Sequence, residues 1–185
     1  MDIFLKSKRV LILAMVIVLL TFGCATLEEQ EARYGSNPPV IAATFAKDRI
    51  LSGDTWEIYI NAFDVDGDMD YIICTVYQDG RHSYPTGMIK IDTEQKGKLS
   101  GYLYLTTYGS FEDLWNVNLQ LYLYIVDKAG HSSNEEVFQL RFTSKASDKE
   151  ADKTIFDDKP LGPIMVSITK YEDRGLPGGI PEPTP

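Results

Sequence analysis

Residues 117–126 constrain the fold of this chain most, because apolar side chains alternate there with polar or aromatic ones as far as Ile125. Successive side chains of a β-strand point to opposite faces, so a period of two predicts a strand that is buried on one side only. The apolar side consists of Val117, Leu119, Leu121, Leu123 and Ile125. The opposite side, which meets water or a partner, carries Asn118, Gln120, Tyr122 and Tyr124.

Similar short runs of β-branched and aromatic residues recur across residues 38–143, separated by Gly, Asp, Asn and Ser. This pattern is typical of an all-β domain. About seven short strands in about 100 residues predict an immunoglobulin-like antiparallel β-sandwich, with an eight-stranded barrel as the alternative. The weakest run contains Pro85 and Gly87 and should lie at a sheet edge. The predicted strands are 40–45, 55–62, 71–78, 83–91, 99–106, 117–126 and 137–142.

The N-terminus has the layout of a secretory signal peptide. Three basic residues precede an apolar run at 10–22, and the small Gly23 precedes Cys24. The apolar run has 13 residues, whereas a helix that spans a bilayer needs about 20, so a permanent transmembrane anchor is the weaker interpretation. The sequence therefore predicts that residues 1–23 are a signal peptide.

Residues 20–24, Leu-Thr-Phe-Gly-Cys, resemble the cleavage site of bacterial lipoproteins. The resemblance implies that Cys24 becomes a lipidated N-terminus, with a diacylglycerol and an amide-linked acyl chain such as palmitate. Two acyl signals hold a protein stably on a membrane, where one does not. Ala25 follows the cysteine, which implies sorting to the outer membrane if the cell is Gram-negative. We therefore expect an exported protein that is anchored to a membrane by lipid.

The charge of the chain argues against nucleic acid as a partner. The full sequence has 18 basic and 27 acidic residues, and without residues 1–23 it has 15 and 26, a net charge near −11. A surface this acidic repels phosphate backbones and anionic lipid headgroups.

The second cysteine, Cys74, has no partner for an intramolecular disulfide once Cys24 carries lipid. An exported domain without disulfides depends on its apolar core. Because Cys74 lies in the apolar run 71–77, we interpret it as a small buried hydrophobic residue rather than a reactive thiol.

Two polar segments flank the predicted domain. Residues 24–37 include a short acidic run and predict a lipidated tether; a helix is the alternative, but it has no apolar face. Residues 144–185 predict a charged linker that ends in a disordered tail rich in Pro and Gly. Within them, the β-prone stretch 164–171 could add an edge strand or join the sheet of a partner.

An acidic loop follows the second predicted strand, with Asp64, Asp66, Asp68 and Asp70 at alternate positions. Calcium takes six to eight oxygen ligands, and repulsion among carboxylates favours a bound cation. The loop is not an EF-hand, because Met69 stands where that motif has its glycine, and the motif's final Glu is missing. A metal-free turn is the alternative, since Asp and Gly are favoured in turns.

Residues 63–71, Phe-Asp-Val-Asp-Gly-Asp-Met-Asp-Tyr, resemble the B–C loop of bacterial immunoglobulin-like modules of the polycystic-kidney-disease and cadherin-like types. Residues 37–41 resemble the start of strand A in these modules, and residues 126–134 resemble their F–G turn. The three segments share one end of that topology, and some members bind calcium there. The resemblance therefore implies a candidate calcium site formed by Asp64, Asp66, Asp68 and Asp127, with Asn37 nearby.

No catalytic set stands out in the sequence. It contains no Gly-x-Ser-x-Gly, no phosphate-binding glycine loop and no His-Glu-x-x-His, and both histidines fall in predicted turns. Glycoside hydrolysis needs a pair of carboxylates, and an acidic chain has many. A surface glycan hydrolase is therefore the weakest of the functional hypotheses.

Outward aromatic residues predict a candidate binding face for a protein or a glycan. Tyr122 and Tyr124 share the polar side of residues 117–126, and Tyr77 and Arg141 lie on strands expected beside it. Ordinary exposed strand residues are the alternative interpretation. The sequence thus predicts a non-enzymatic binding or structural module on an envelope lipoprotein, and a calcium-stabilised adhesion module is the second hypothesis.

Overall fold

The structure is a computed structural model that describes residues 26–79, 82–107, 114, 117–166 and 168. In these residues ten strands form two sheets that enclose one apolar core. The four-stranded sheet has the order β1 (Val40–Ala46), β3 (Thr55–Phe63), β7 (Lys98–Thr106) and β10 (Pro160–Pro163). The six-stranded sheet has the order β2 (Arg49–Ile50), β9 (Glu136–Phe142), β8 (Asn118–Asp127), β4 (Met69–Gln78) and β5 (His82–Ser83), and β6 (Gly87–Lys90) also pairs with β4.

The long strands follow the immunoglobulin-like arrangement. The order β1-β3-β7 corresponds to A-B-E, and the order β9-β8-β4 corresponds to G-F-C. The prediction of an all-β sandwich is therefore confirmed. The alternative of a barrel is wrong for the described residues, because their strands form two separate sheets.

The core lies between the inward faces of the two sheets. Trp56, Ile58 and Ile60 of β3 are 0% exposed, and so are Leu121 and Leu123 of β8. Burying one large apolar side chain contributes about 1.5–3 kcal/mol. The apolar sides predicted for β3 and β8 are therefore the sides that pack together in the core.

Two short strands depart from the predicted antiparallel pairing. β2 runs parallel to β9, so that Arg49 is the register partner of Arg141. β10 runs parallel to β7 and forms the edge of the four-stranded sheet. The described chain thus forms an extra strand at 160–163. Of the stretch 164–171, which could have added an edge strand, residues 167 and 169–171 lie outside the described residues, and the Ile164 N–H donates to the Tyr104 carbonyl.

The polar segment before the sandwich contains a helix, α1 (Leu27–Tyr34), so the helical alternative is the one that the structure shows. Thr26 and Glu29 form a capping box, and the acidic first turn suits the positive end of the helix dipole. No residue of α1 is buried, so hydrogen bonds and caps hold it rather than an apolar face. None of the helices in the described ranges is long and apolar enough to cross a bilayer.

Residues 150–159, which we name the covering segment, pack across the outer face of the four-stranded sheet. The ring of Phe156 lies 5.9 Å from that of Tyr59, and the Asn61 amide donates to the Ile155 carbonyl at 2.8 Å. This part of the predicted charged linker is therefore joined to the domain by packing and hydrogen bonds.

The predictions for the edge strand and for the second cysteine are confirmed. β5 and β6 both pair with β4 at the edge of the six-stranded sheet. This is the position that the sequence predicted for residues 83–91. Cys74 is 1% exposed, and burial raises the pKa of its thiol to about 12. Such a thiol is protonated at neutral pH and packs as an apolar side chain.

Candidate functional site

The β3–β4 loop, the β8–β9 turn and α1 lie together at one end of the sandwich. We name this the loop end. Asp64 begins the β3–β4 loop and is 5% exposed. Its two carboxylate oxygens accept the backbone N–H groups of Asp66 at 3.0 Å and Asp68 at 3.2 Å. Asp64 therefore holds the loop closed, as Asp does in many turns.

Asp68 and Asp127 connect the loop to the turn opposite. Asp68 accepts the backbone N–H of Lys128 at 3.2 Å, and Asp127 accepts those of Gly130 and His131 at 2.7 and 2.8 Å. Burial raises the pKa of Asp68 to about 6, and so do a hydrogen bond with Asp64 and the charges of Asp127 and Asp64. Among the three neighbouring carboxyl groups, Asp68 is thus the one whose ionisation is made unfavourable by burial and by the other two.

Asp66 points away from this group and binds Asn37. Its carboxylate accepts the Asn37 backbone N–H at 2.8 Å and the Asn37 side-chain amide at 3.0 Å. These hydrogen bonds hold the pKa of Asp66 below its usual value. The carboxyl group occupies the space that a Cβ on Gly35 would need, and Gly35 has φ +111°. A glycine is therefore required where α1 ends against the loop.

His131 joins the same turn to α1. Its Nδ1 lies 2.9 Å from Oδ2 of Asp127, and its Nε2 lies 3.0 Å from Oε1 of Glu31. Hydrogen bonds with Glu31 and Asp127 raise the pKa of His131. No sequence pattern predicts this contact, because α1 has no apolar face and Glu31 is 100 positions from the turn residue His131.

The structure thus brings together three of the four predicted calcium ligands, namely Asp64, Asp68 and Asp127, and directs Asp66 to Asn37. Among the described residues, no three acidic, histidine or cysteine side chains are arranged so that they could hold a metal ion. The calcium site stays a prediction.

Asp70 of the acidic run lies on β4 and pairs with two lysines. Its oxygens are 2.7 Å from Lys90 Nζ and 2.7 Å from Lys96 Nζ. Burial acts to raise the pKa of Asp70, but the hydrogen bonds and charges of both lysines outweigh it and lower the pKa. Asp70 is therefore part of a structural ion-pair network.

The outward side chains of β4, β8 and β9 form what we name the open face. Tyr77 and Tyr122 lie in a T-shaped contact with ring centroids 5.1 Å apart. Tyr77 is 44% exposed and Val137, the register partner of Tyr122, is 48% exposed. The face also carries the predicted Tyr124, which is half-buried opposite Ile73. Its members are Thr75, Tyr77, Gln120, Tyr122, Tyr124, Val137, Gln139 and Arg141.

A polar cavity of about 360 Å³, which we name the arginine groove, opens at one end of this face. Arg141, which the sequence placed on the face, is in its wall together with Arg49. The Arg141 Nε donates to Asn118 Oδ1 at 2.8 Å. Arg49 could not be found from the sequence, because its place beside Arg141 depends on the parallel pairing of β2.

Comparisons with known proteins identify no family for this chain. No family model matches the chain, and no curated protein matches it. One similar solved structure is a CARDB domain from Pyrococcus furiosus, crystallised in complex with di-metal ions. It is 9% identical with a TM-score of 0.33, and the alignment covers 58% of this chain and 89% of that one. A likeness this weak carries no argument about ligand or activity.

Proposed function

We propose that this chain is an exported, lipid-anchored envelope protein whose β-sandwich is a non-enzymatic binding module, and that the open face is its binding surface. One observation carries the proposal: the two outer faces of the sandwich are unequal. The covering segment lies over the four-stranded sheet, whereas no described segment lies over Tyr77, Tyr122 and Val137.

The composition of the open face suits recognition. Tyrosine has a large apolar ring and a hydroxyl group, and it loses little conformational entropy when it binds. The edge-to-face contact of Tyr77 with Tyr122 fixes the orientation of both rings. A partner that covers them gains apolar burial and meets a surface that is already ordered.

The carboxylates in the arginine groove argue against the hydrolase hypothesis. A glycosidase needs one carboxylic acid with a raised pKa to protonate the leaving oxygen. Asp48 lines the groove, but a hydrogen bond from the Ser147 side chain lowers its pKa. Asp79, the other acid in the groove, accepts the Asn118 amide. The pKa of Asp48 is therefore lowered, whereas a general acid needs a raised pKa.

The anchor is supported by the sequence of residues 20–24, which places a small residue before Cys24. Its test is mass spectrometry of the protein purified from membranes. We expect an N-terminal peptide that begins with a lipidated Cys24, and a Cys24→Ala variant that keeps its signal peptide. An intact Met1 on the protein with native Cys24 would contradict the anchor.

The binding face is tested by cross-linking the full chain to its neighbours in intact cells. We expect the double variant Tyr77→Ser with Val137→Ser to lose its cross-linked products. The matched control is Val65→Ser with Met165→Ser, which removes two exposed apolar side chains, 76% and 82% exposed, outside the open face. If both double variants keep the same products, the open face is not the binding surface.

A further inference from the structure

We propose that the arginine groove binds an acidic sugar unit, with the carboxylate of the sugar on Arg49 and Arg141 and its hydroxyl groups on the neighbouring amides. This inference rests on the proposed function, because the groove is the polar end of the open face. It goes further by naming the ligand class and the residues that select it.

Two arginines stand side by side in an acidic protein. Arg49 and Arg141 are register partners on β2 and β9, and the chain has a formal net charge of −9. Like charges opposite each other on neighbouring strands are unfavourable. Arg49 has one distant ion pair, with Asp48 at 3.9 Å, and no carboxylate of the described residues lies within ion-pair distance of Arg141. An anion between the two guanidinium groups would relieve their repulsion.

The orientation of Arg141 is fixed by a chain of hydrogen bonds. The Asn118 amide donates to Asp79, and the Asn118 carbonyl oxygen accepts from Arg141 Nε at 2.8 Å. Within the described part of the chain, the two terminal nitrogens of Arg141 form no further hydrogen bond. A guanidinium held in this way can bind a carboxylate with two parallel hydrogen bonds.

Side-chain amides line the groove beside the arginines. Gln120 and Gln139 are register partners on β8 and β9, and both face the cavity. Amides both donate and accept, which suits the hydroxyl groups of a sugar. The Tyr122 hydroxyl lies 3.4 Å from Gln120 Oε1, and Tyr77 is the register partner of Gln120 on β4. The groove therefore continues into the aromatic part of the open face, where the apolar side of a sugar ring can pack.

The two carboxylates of the groove restrict the charge of the ligand. Asp48 and Asp79 balance the formal charge of Arg49 and Arg141, so the groove has no excess positive charge to attract a multiply charged anion. The held guanidinium of Arg141 beside Arg49 suits one carboxylate among neutral hydroxyl groups. A densely charged polyanion, such as an acidic peptide run, would meet repulsion from both aspartates. The volume of about 360 Å³ is near the lower limit of about 300 Å³ for small-molecule sites, which fits one or two sugar units.

The test measures binding of the full chain in detergent to hexagalacturonate by isothermal titration calorimetry. The probes for comparison are the fully methyl-esterified hexamer, neutral cellohexaose and hexaglutamate. We expect binding of hexagalacturonate, weakening as salt is added, and affinities at least about tenfold lower for the ester and the neutral sugar. Arg141→Gln and Arg49→Gln should each lower the affinity for hexagalacturonate by about tenfold. Arg33→Gln on α1 should leave that affinity unchanged.

The outcomes separate this inference from the proposed function. If the esterified hexamer binds as tightly as hexagalacturonate, the groove recognises no carboxylate. If hexaglutamate binds as tightly or more tightly, the groove is a peptide site. Either result overturns the inference. So does the absence of hexagalacturonate binding at millimolar concentration. If binding is absent while the Tyr77 and Val137 variants still lose their cross-links, the open face stands as a binding surface and only the acidic-sugar assignment fails.

Discussion

The Nε2 atom of His131 lies 3.0 Å from Oε1 of Glu31, although the two residues are 100 positions apart in the chain. The other ring nitrogen lies 2.9 Å from Asp127 Oδ2. One imidazole thus bridges α1 and the β8–β9 turn, so the helix is joined to the sandwich by a titratable group whose pKa is raised by Glu31 and Asp127.

The docking of α1 should weaken as the pH rises. Glu31 and Asp127 raise the pKa of His131, so the folded protein holds this proton more tightly than the unfolded chain. The stabilisation is complete below the unfolded pKa of about 6.5 and is lost as the pH rises through the folded value. Glu31→Gln should lower the pKa of His131 in an NMR titration, whereas Glu28→Gln on the same helix should leave it unchanged. An unchanged pKa in Glu31→Gln would rule out the bridge.

Removal of Asp70 should destabilise the protein much more than removal of one of its partners. Lys96 has an 11% exposed side chain, whereas that of Lys90 is 56% exposed. Asp70→Asn leaves the buried Lys96 ammonium unpaired, at a cost of about 2–4 kcal/mol in the free energy of unfolding. Lys90→Gln should cost much less, because the exposed Lys90 ammonium is solvated whether or not it is paired. Urea unfolding of both variants checks this, and equal costs would contradict it.

Asp68→Asn should stabilise the protein at pH 7, by about 1–2 kcal/mol. The pKa of Asp68 is raised to about 6, so ionisation of this group makes the folded state less stable as the pH rises from about 4 through 6. An asparagine can keep the hydrogen bonds to Asp64 and to the Lys128 N–H without a charge. Urea unfolding at pH 5 and pH 7 should show a larger gain at pH 7 than at pH 5, because the folded carboxyl group is ionised only at the higher value. A loss at both values would mean that the ionised carboxylate is needed.

The melting temperature should be the same in calcium and in chelator. Backbone N–H groups already donate to the oxygens of Asp64, Asp68 and Asp127, so the loop end is held together without an ion. A calcium ion at 100 times its Kd would stabilise by about 2.7 kcal/mol, which calorimetry detects easily. A rise of that size would establish the metal site that the acidic loop predicts.

Gly101→Ala should detach the chain around the covering segment. A Cβ on Gly101 would collide with the Lys159 carbonyl oxygen and lie 2.9 Å from Leu161 Cδ2. We expect a loss of about 2–3 kcal/mol and faster hydrogen exchange in residues 150–164. Gly53→Ala is the control, because Gly53 also has a positive φ but no atom lies within 4 Å of its added Cβ. Equal exchange in the two variants would contradict this packing.

The main strands could be predicted from the sequence because their period of two is a local property. The inward side chains of β3, and those of β8 as far as Ile125, are apolar, and each strand therefore has only one side that it can bury. The turn residues Asp and Gly separated the strands, and the number of strands limited the fold to a sandwich or a barrel. The polarity of residues 24–37 concealed α1, because its stability comes from caps and from hydrogen bonds to distant residues rather than from an apolar face.

The sequence could group only some of the candidate site residues correctly, because a local pattern shows which residues share a strand face but not which distant residues they contact. Tyr77, Tyr122 and Arg141 share the outward period of their strands, so the sequence could assign them to one face. Whether Asp66 joins Asp68 or binds Asn37 depends on where the chain before β1 lies, and no local pattern carries that information.

The sequence by itself determined the β class and the inward and outward side of each long strand, since both depend on neighbours along the chain. Only the tertiary structure decided which outer face the covering segment occupies, that Asp68 lies beside Asp64 and Asp127, and that Arg49 stands beside Arg141. These relations depend on contacts between residues far apart in the chain, whose energies appear only when the two sheets and the flanking segments pack together.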